Sequence, residues 1–277
     1  MRGVEVILPG GLPENGYVER RACFRPITGK TELALVELER SAATPFYVSS
    51  VLLLVLESIG GRKVDAACVN SLCMADRQFL MLRLAALLGG EQVWLQASCG
   101  HCQALFDIEI RRCELPVKPA GSEFPSARLD IRGEEVEVCV PTALAQMEMA
   151  EMSDQDALRH LLQRCISKVN GTPPDATWAG ELSDEDIAAI DQALEELSPA
   201  VCNELSVICP ECNTAQSASL NHYDLAGVGS SSLYDEIHIL AMHYHWSEEE
   251  ILNMPRARRC RYLDLINRSK GAVGQVQ

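Results

Sequence analysis

The sequence predicts an α+β fold, mostly helical, in which one β element is split between two distant segments. Three observations predict it. Apolar and amphipathic runs of helical length dominate after residue 30, and strand-like alternating runs are short. Two Cys-x-x-Cys pairs, Cys99-Gly100-His101-Cys102 and Cys209-Pro210-Glu211-Cys212, sit beside such short runs far apart in the chain.

Residues 1–30 read as extended, punctuated by Pro9, Gly10-Gly11, Pro13 and Pro26. Thr31 to Arg40 reads as an amphipathic helix, with Leu33 and Val36, and beside them Ala34 and Leu38, on its inner side. Pro45 to Ser58 is apolar enough for a buried helix, and Gly60-Gly61 stops it. A third helix starts at Asn70 or Ser71 and reaches Leu88, before Gly89-Gly90. Its apolar face holds Leu72, Phe79, Leu80, Leu84, Leu87 and Leu88, and its polar side Asp76, Arg77 and Arg83. Val93-Trp94-Leu95 and the alternating Leu105 to Ile110 flank the first cysteine pair, closed by Arg111-Arg112.

Prolines at 116, 119 and 125 with Gly121 and Ser122 mark residues 115–127 as a lobe boundary. Residues 128–132 and 136–140 then alternate around Gly133 as a hairpin. Helices follow at Thr142–Met152, Asp154–Val169 and Ser183–Leu197. Asp184, Glu185 and Asp186 suit the positive end of the last helix dipole. Leu205 to Ile208 reads as a strand before the second pair. Ser230 to Ser232 offer caps for a helix carrying Leu233, Ile237, Leu240, Ala241 and Tyr244 at helical spacing. Ser247 to Glu250 is a capping box, and Pro255 opens a last helix reaching Asn267. Lys270 to Gln277 reads as a frayed tail. No internal repeat or low-complexity tract is evident. The chain divides as 1–114, a helical lobe with the first knuckle; 115–200, a β-hairpin with an acidic helical lobe; 201–229, the second knuckle; and 230–277, a helical module.

A formal net charge of −15 argues against bulk binding to nucleic acid or anionic membrane, since both need basic surface. Twelve acids face three bases between Glu148 and Glu196, a solvated helical surface or a dock for a basic partner. Twelve cysteines without a secretory signal fit a reducing compartment, so the cytosol is the expected location. The longest apolar run, Val51 to Leu56, is too short to span a bilayer.

Two Cys-x-x-Cys pairs can supply four thiolates, the closed coordination of structural Zn2+. Strand, knuckle, strand is the construction of a zinc ribbon. Here residues 103–208 put 106 positions between the halves, where a compact ribbon needs roughly 15–20. Cys99, Cys102, Cys209 and Cys212 sharing one metal would therefore clasp two distant segments. Separate sites completed by other ligands, or a site that has lost its metal, are the alternatives. Cys-Gly-His-Cys also fits a dithiol oxidoreductase, but such a cysteine sits at a helix N-terminus, and the residues after Cys102 alternate like a strand. His101 reads as a solvent-facing turn residue, and the other eight cysteines mostly as small buried hydrophobes.

Gly29-Lys30-Thr31 lacks the glycine five residues earlier that a phosphate loop needs, since position 24 is Phe. His238, His243 and His245 have poor ligand spacing and read as surface or packing residues. Arg256, Arg258, Arg259 and Arg261 form the one dense basic cluster. They could serve a zinc-ribbon nucleic-acid adaptor, but pairing with the chain's own acids or a partner protein fits the acidic chain better.

The blocks Cys23-Phe24-Arg25-Pro26-Ile27-Thr28-Gly29, Asp76-Arg77-Gln78-Phe79-Leu80, Cys99 to Cys102 with Phe106-Asp107-Ile108, and Cys209 to Cys212 stand in a telling order. With Glu236 to Ser247, Ile251-Leu252, Arg258-Arg259 and Tyr262-Leu263, the order resembles the T4-family baseplate hub assembly chaperones of contractile phage tails. Related proteins encoded with phage-tail-like contractile injection systems look similar. The resemblance implies a non-enzymatic assembly factor or structural component, in the cytosol or incorporated in a tail or injection-system particle. It implies hub or other tail proteins as partners, with Arg256, Arg258, Arg259 and Tyr262 as contact candidates and the zinc purely structural.

Overall fold

The structure is a computed structural model that describes residues 3–14, 16–38, 44–150, 152–175, 177–223 and 230–273. It is mixed α/β, 45% helical and 30% strand, so β structure is more extensive than a mostly helical reading expects. The excess has a simple origin: the extended first thirty residues are paired, and two expected helices end as strands.

The first lobe opens with an antiparallel hairpin, β1 (Val4–Glu14) and β2 (Tyr17–Phe24). Helices α1 (Gly29–Glu37) and α2 (Thr44–Val55) follow, and α2 runs directly into β3 (Leu56–Ile59), which pairs with β2. With β4 (Arg62–Lys63) the sheet order is β1-β2-β3-β4. The expected helix to Ser58 therefore stops at Val55. Leu56 and Ile59 are buried as strand residues, and the Gly60-Gly61 signal turns a hairpin rather than capping a helix.

The third expected helix is two: α3 (Ala66–Asn70), capped by the Asp65 carboxylate, and α4 (Met74–Gly89). Its supposed polar side is wrong at two places, because Asp76 and Arg77 are buried. Asp76 accepts the Gly10 and Gly11 amides at 2.8 Å each, inside an irregularity of β1 where Gly11 has φ +106°. A Cβ on Gly10 would lie 2.8 Å from the Asp76 carboxylate, which explains that glycine. Arg77 donates to Ser49 Oγ at 2.9 Å and the Pro45 carbonyl at 2.5 Å, and burial lowers its pKa to about 10. Asp76→Ala would leave two buried amides without an acceptor. A loss of about 1–3 kcal/mol in denaturant unfolding is expected, with Asp76→Asn intermediate.

Hairpin β5 (Gln92–Ser98) and β6 (Leu105–Arg111) then carries the first cysteine pair at its turn. After β7 (Val117–Lys118), the expected hairpin appears as β8 (Ser126–Ile131) and β9 (Glu134–Cys139). Helices α5 (Ala143–Met149) and α6 (Asp154–Cys165) follow, and α6 gives way to β10 (Ile166–Val169), which pairs with β9. The helix expected to reach Val169 thus ends at Cys165. Helix α7 (Asp184–Leu197) begins at a reciprocal Ser183–Asp186 capping box. Then β11 (Ala200–Val201) pairs with β7, and hairpin β12 (Glu204–Ile208) and β13 (Ala215–Ser219) carries the second cysteine pair.

With the short elements β4, α3 and β11 set aside, the succession hairpin, helix, helix, strand, helix, cysteine hairpin occurs twice. In each copy the strand after the second helix pairs antiparallel with the second strand of the opening hairpin. No repeat is evident in the sequence because the copies share periodicity, not residues. Val48, Val51, Leu52, Leu56, Leu80 and Leu84 help fill the first core, and Val136, Val138, Ile166 and Ile190 the second. The lobes touch where Ala143 N donates to the Leu72 carbonyl at 2.9 Å and Ala120 N to the Pro9 carbonyl at 2.9 Å.

Helices α8 (Ser230–Tyr244), α9 (Glu248–Asn253) and α10 (Arg256–Val273) form a third core around Leu233, Leu240, Ile251 and Ile266. Ser247 and Glu250 form the expected capping box. The side chains of the expected caps Ser230 to Ser232 lie outside the described residues, as do residues 274–277 of the expected frayed tail, whereas α10 continues to Val273. This module docks on α1, and that docking corrects the inner face expected for the helix. Glu32 and Leu35 are its fully buried side chains, while the expected Leu33 and Leu38 are half-buried against the third and first cores, because α1 lies between two cores.

Candidate metal centre

Each cysteine pair occupies a tight turn between two strands, and the two turns are built alike. In the first, Cys99 N donates to the Ala104 carbonyl at 2.9 Å and Gln103 N to the Cys99 carbonyl at 3.0 Å. In the second, Cys209 N donates to the Thr214 carbonyl at 3.0 Å and Asn213 N to the Cys209 carbonyl at 2.9 Å. The residue after each second cysteine is left-handed, Gln103 at φ 62° and Asn213 at φ 55°. Amides are thereby turned toward the sulfurs, and His101 N lies 3.4 Å from Cys99 Sγ.

All four Sγ atoms lie within 4.8 Å of one another. Cys99 and Cys212 sulfurs are 3.6 Å apart, and Cys102 and Cys209 sulfurs 3.7 Å. A tetrahedron with metal–sulfur bonds of about 2.3 Å has sulfurs about 3.8 Å apart, so the donor set fits a thiolate-bound metal. A disulfide would need about 2.05 Å. Both short contacts cross between the pairs, so the two halves interleave. Gln216 reinforces the junction, accepting Gly100 N at 3.0 Å and donating to the Ser98 carbonyl at 3.4 Å.

The electrostatics suit shared thiolates. Contact with Thr214, whose hydroxyl lies 3.3 Å from the sulfur, lowers the Cys212 pKa to about 6. At Cys102 the Ala104 amide favours the thiolate, but partial desolvation and the neighbouring Cys212, Cys99 and Cys209 sulfurs outweigh it and push the thiol up to about 12. Clustered thiols behave this way: the first to ionise makes the next harder, and a cation at the centre reverses that logic. Cys99 and Cys209 are buried, and His101 is exposed as expected.

No helix begins at either pair, since Cys102 leads into β6 and Cys212 into β13, so the dipole that activates a redox cysteine is missing. Burial pushes Cys165 up to about 12 and raises Cys73, in keeping with inert packing thiols. Among the described residues no second group of three or more metal-ligating side chains occurs. His238, His243 and His245 are exposed, and His243 Nδ1 lies 2.9 Å from the Ile239 carbonyl of its own helix.

The expected partner-facing cluster divides. Arg259 is fully buried: its Nη2 meets Glu32 Oε1 at 2.6 Å and its Nε meets Glu236 Oε2 at 3.1 Å. Arg256 Nη1 meets Glu32 Oε2 at 2.6 Å. These two guanidiniums are held inside the chain because Glu32 itself is buried and needs both. Arg258 is exposed, 5.7 Å from the Tyr262 ring centroid, beside the stacked Tyr244 and Trp246.

Sequence reasoning missed His222, buried at the foot of the second cysteine hairpin with Nε2 2.9 Å from the Cys202 carbonyl. Burial lowers its pKa below the ordinary 6.5, against the opposing Cys202 hydrogen bond. The folded chain keeps the ring neutral while the unfolded chain takes up a proton near 6.5, so stability is full above that pH and declines as pH falls through it. A denaturant midpoint that drops below about pH 6.5 is expected, with a shallower drop in His222→Phe.

A family model described as T4 bacteriophage base plate protein matches residues 12–224. The chain belongs to that family. The match begins within β1, takes in both repeats and both cysteine pairs, and leaves the C-terminal helical module beyond it. No curated protein and no solved structure gives a match. Membership in a T4-type baseplate family makes this a phage baseplate component whose partners are other tail or baseplate proteins. Among the described residues no helix is long and apolar enough to cross a membrane.

Proposed function

We propose that this baseplate protein is a non-enzymatic assembly factor or structural component of the baseplate hub, held in shape by one structural Zn2+. Cys99, Cys102, Cys209 and Cys212 would bind the ion, making the two hairpins a zinc ribbon split across the repeats. The carrying observation is that sulfurs from pairs 106 residues apart lie within 4.8 Å. Bound zinc would supply folding energy directly, since ligands scattered in the unfolded chain are gathered only in the folded one.

The assembly role rests on the baseplate family. The acidic surface fits capture of a basic face on a partner. Coexpression with the neighbouring tail proteins tests it: a stable complex of defined stoichiometry by affinity capture and gel filtration is expected. Monomeric elution with every hub and baseplate protein of the same gene set would overturn it.

A further inference from the structure

We propose that the cleft between hairpins β5–β6 and β12–β13 binds an extended basic peptide of a partner protein as an added β-strand. The cleft has a volume of about 410 Å³ and is walled by consecutive residues 95–98 and 216–221. Consecutive residues mean strand edges, since a strand face would contribute every second residue. Among the described residues β5 pairs only with β6 and β13 only with β12, so each of these two strands is an edge of its sheet.

The two edges run antiparallel, β5 toward Cys99 and β13 away from Cys212. They meet at the Gln216–Ser98 contact and leave the cleft beyond it. Ile108 and Leu205, packed with Leu82 and Leu220 below, form an apolar floor. Four residues of β5 span about 13 Å at about 3.3 Å per residue, room for a strand of about four residues.

Exposed edges are normally blunted with charge, proline or a cover. Neither β5, Gln-Val-Trp-Leu-Gln-Ala-Ser, nor β13, Ala-Gln-Ser-Ala-Ser, carries a charge or a proline. Their partner strands carry the charge, Asp107, Glu109 and Glu204 against Arg111, so the surroundings are net acidic. Trp94 stands 62% exposed on β5, where the side chain of an added strand would pack on it. A lysine or arginine there would gain both a cation–π contact and the acidic field. Strand addition between two edges satisfies backbone groups on both sides of the guest.

The test is backbone amide exchange of the full zinc-loaded chain with the peptide Ac-Lys-Val-Lys-Val-Lys-Val-Lys-NH2. Exchange within 95–98 and 216–219 should slow by about tenfold or more, with the effect weakening as salt rises. Glutamate-for-lysine and proline-for-valine peptides should give no slowing. Ala218→Phe, which fills the floor, and the exposed pair Gln96→Lys with Ser217→Lys should each abolish it, with fold and zinc content checked separately. No slowing, slowing elsewhere, equal slowing by the control peptides, or slowing retained in the lysine pair would overturn the proposal. Slow exchange at both edges without peptide, or dimers that bury them, would overturn it too, since the edges would then have partners already.

Discussion

Cys209→Ser is expected to yield a chain without stoichiometric zinc, whose two cysteine hairpins are open while both lobes stay folded. The sulfur it removes is buried and 3.7 Å from Cys102 Sγ, so serine cannot be accommodated by a swing to solvent. A structural zinc is worth about 10–16 kcal/mol in zinc-finger peptides, far more than a two-stranded hairpin supplies for itself. The lobes have cores of their own, around Leu52 and Leu80 in one and Val136 and Ile190 in the other. Far-ultraviolet dichroism should therefore change little, while proteolysis within 92–111 and 204–219 accelerates. Chelator on the wild type should reproduce the effect. A variant with unchanged zinc content and unchanged protection would remove the clasp from the account.

Glu32→Ala should detach the C-terminal module. That carboxylate is 1% exposed and holds Arg256 and Arg259 at 2.6 Å each, and Arg259 is 0% exposed. Removing it leaves Arg259 with Glu236 and the Met254 carbonyl, and Arg256 with a longer 3.8 Å contact to the same acid. Breaking a buried pair from one side costs about 3–5 kcal/mol. The chain has a direct alternative, which is to expose the arginines by lifting α8–α10 from α1. Limited proteolysis should release a fragment carrying α8–α10 from the variant before the wild type. Gly29→Ala should do the same for a steric reason, since its Cβ would lie 2.9 Å from Leu252 Cα. Equal protection of Glu32→Ala and wild type would mean that apolar packing alone holds the module.

What could be read from sequence followed the strength of local signals. The acidic first turn after Ser183, the capping box at Ser247, the hairpin around Gly133 and the strand after Cys102 depend on neighbours within a few residues, and the structure has them. Helices α2 and α6 were readable except at their ends. Leu56 and Ile59, like Ile166 and Val169, bracket two polar residues and could end a helix or begin a strand, and pairing with a hairpin decides for strand. Asp76 and Arg77 read as a polar helix side because single-residue hydropathy carries no record of partners tens of residues away, whereas the pairing of the arginine cluster with the chain's own acids was expected and is met at Arg256 and Arg259. The repeat is invisible for a related reason: topology is set by which faces are apolar, and many sequences satisfy one pattern. The cysteine pairs were legible because their chemistry is rare at that spacing, yet their meeting is a property of the fold.

The central claim is that one metal joins the two halves through four sulfurs. Zinc K-edge absorption on protein purified without added metal, with metal counted per chain, tests it most directly. One zinc per chain with four sulfur neighbours at about 2.3 Å is the predicted result. Nitrogen or oxygen neighbours, two metals per chain, or a metal-free protein with the same stability would contradict it.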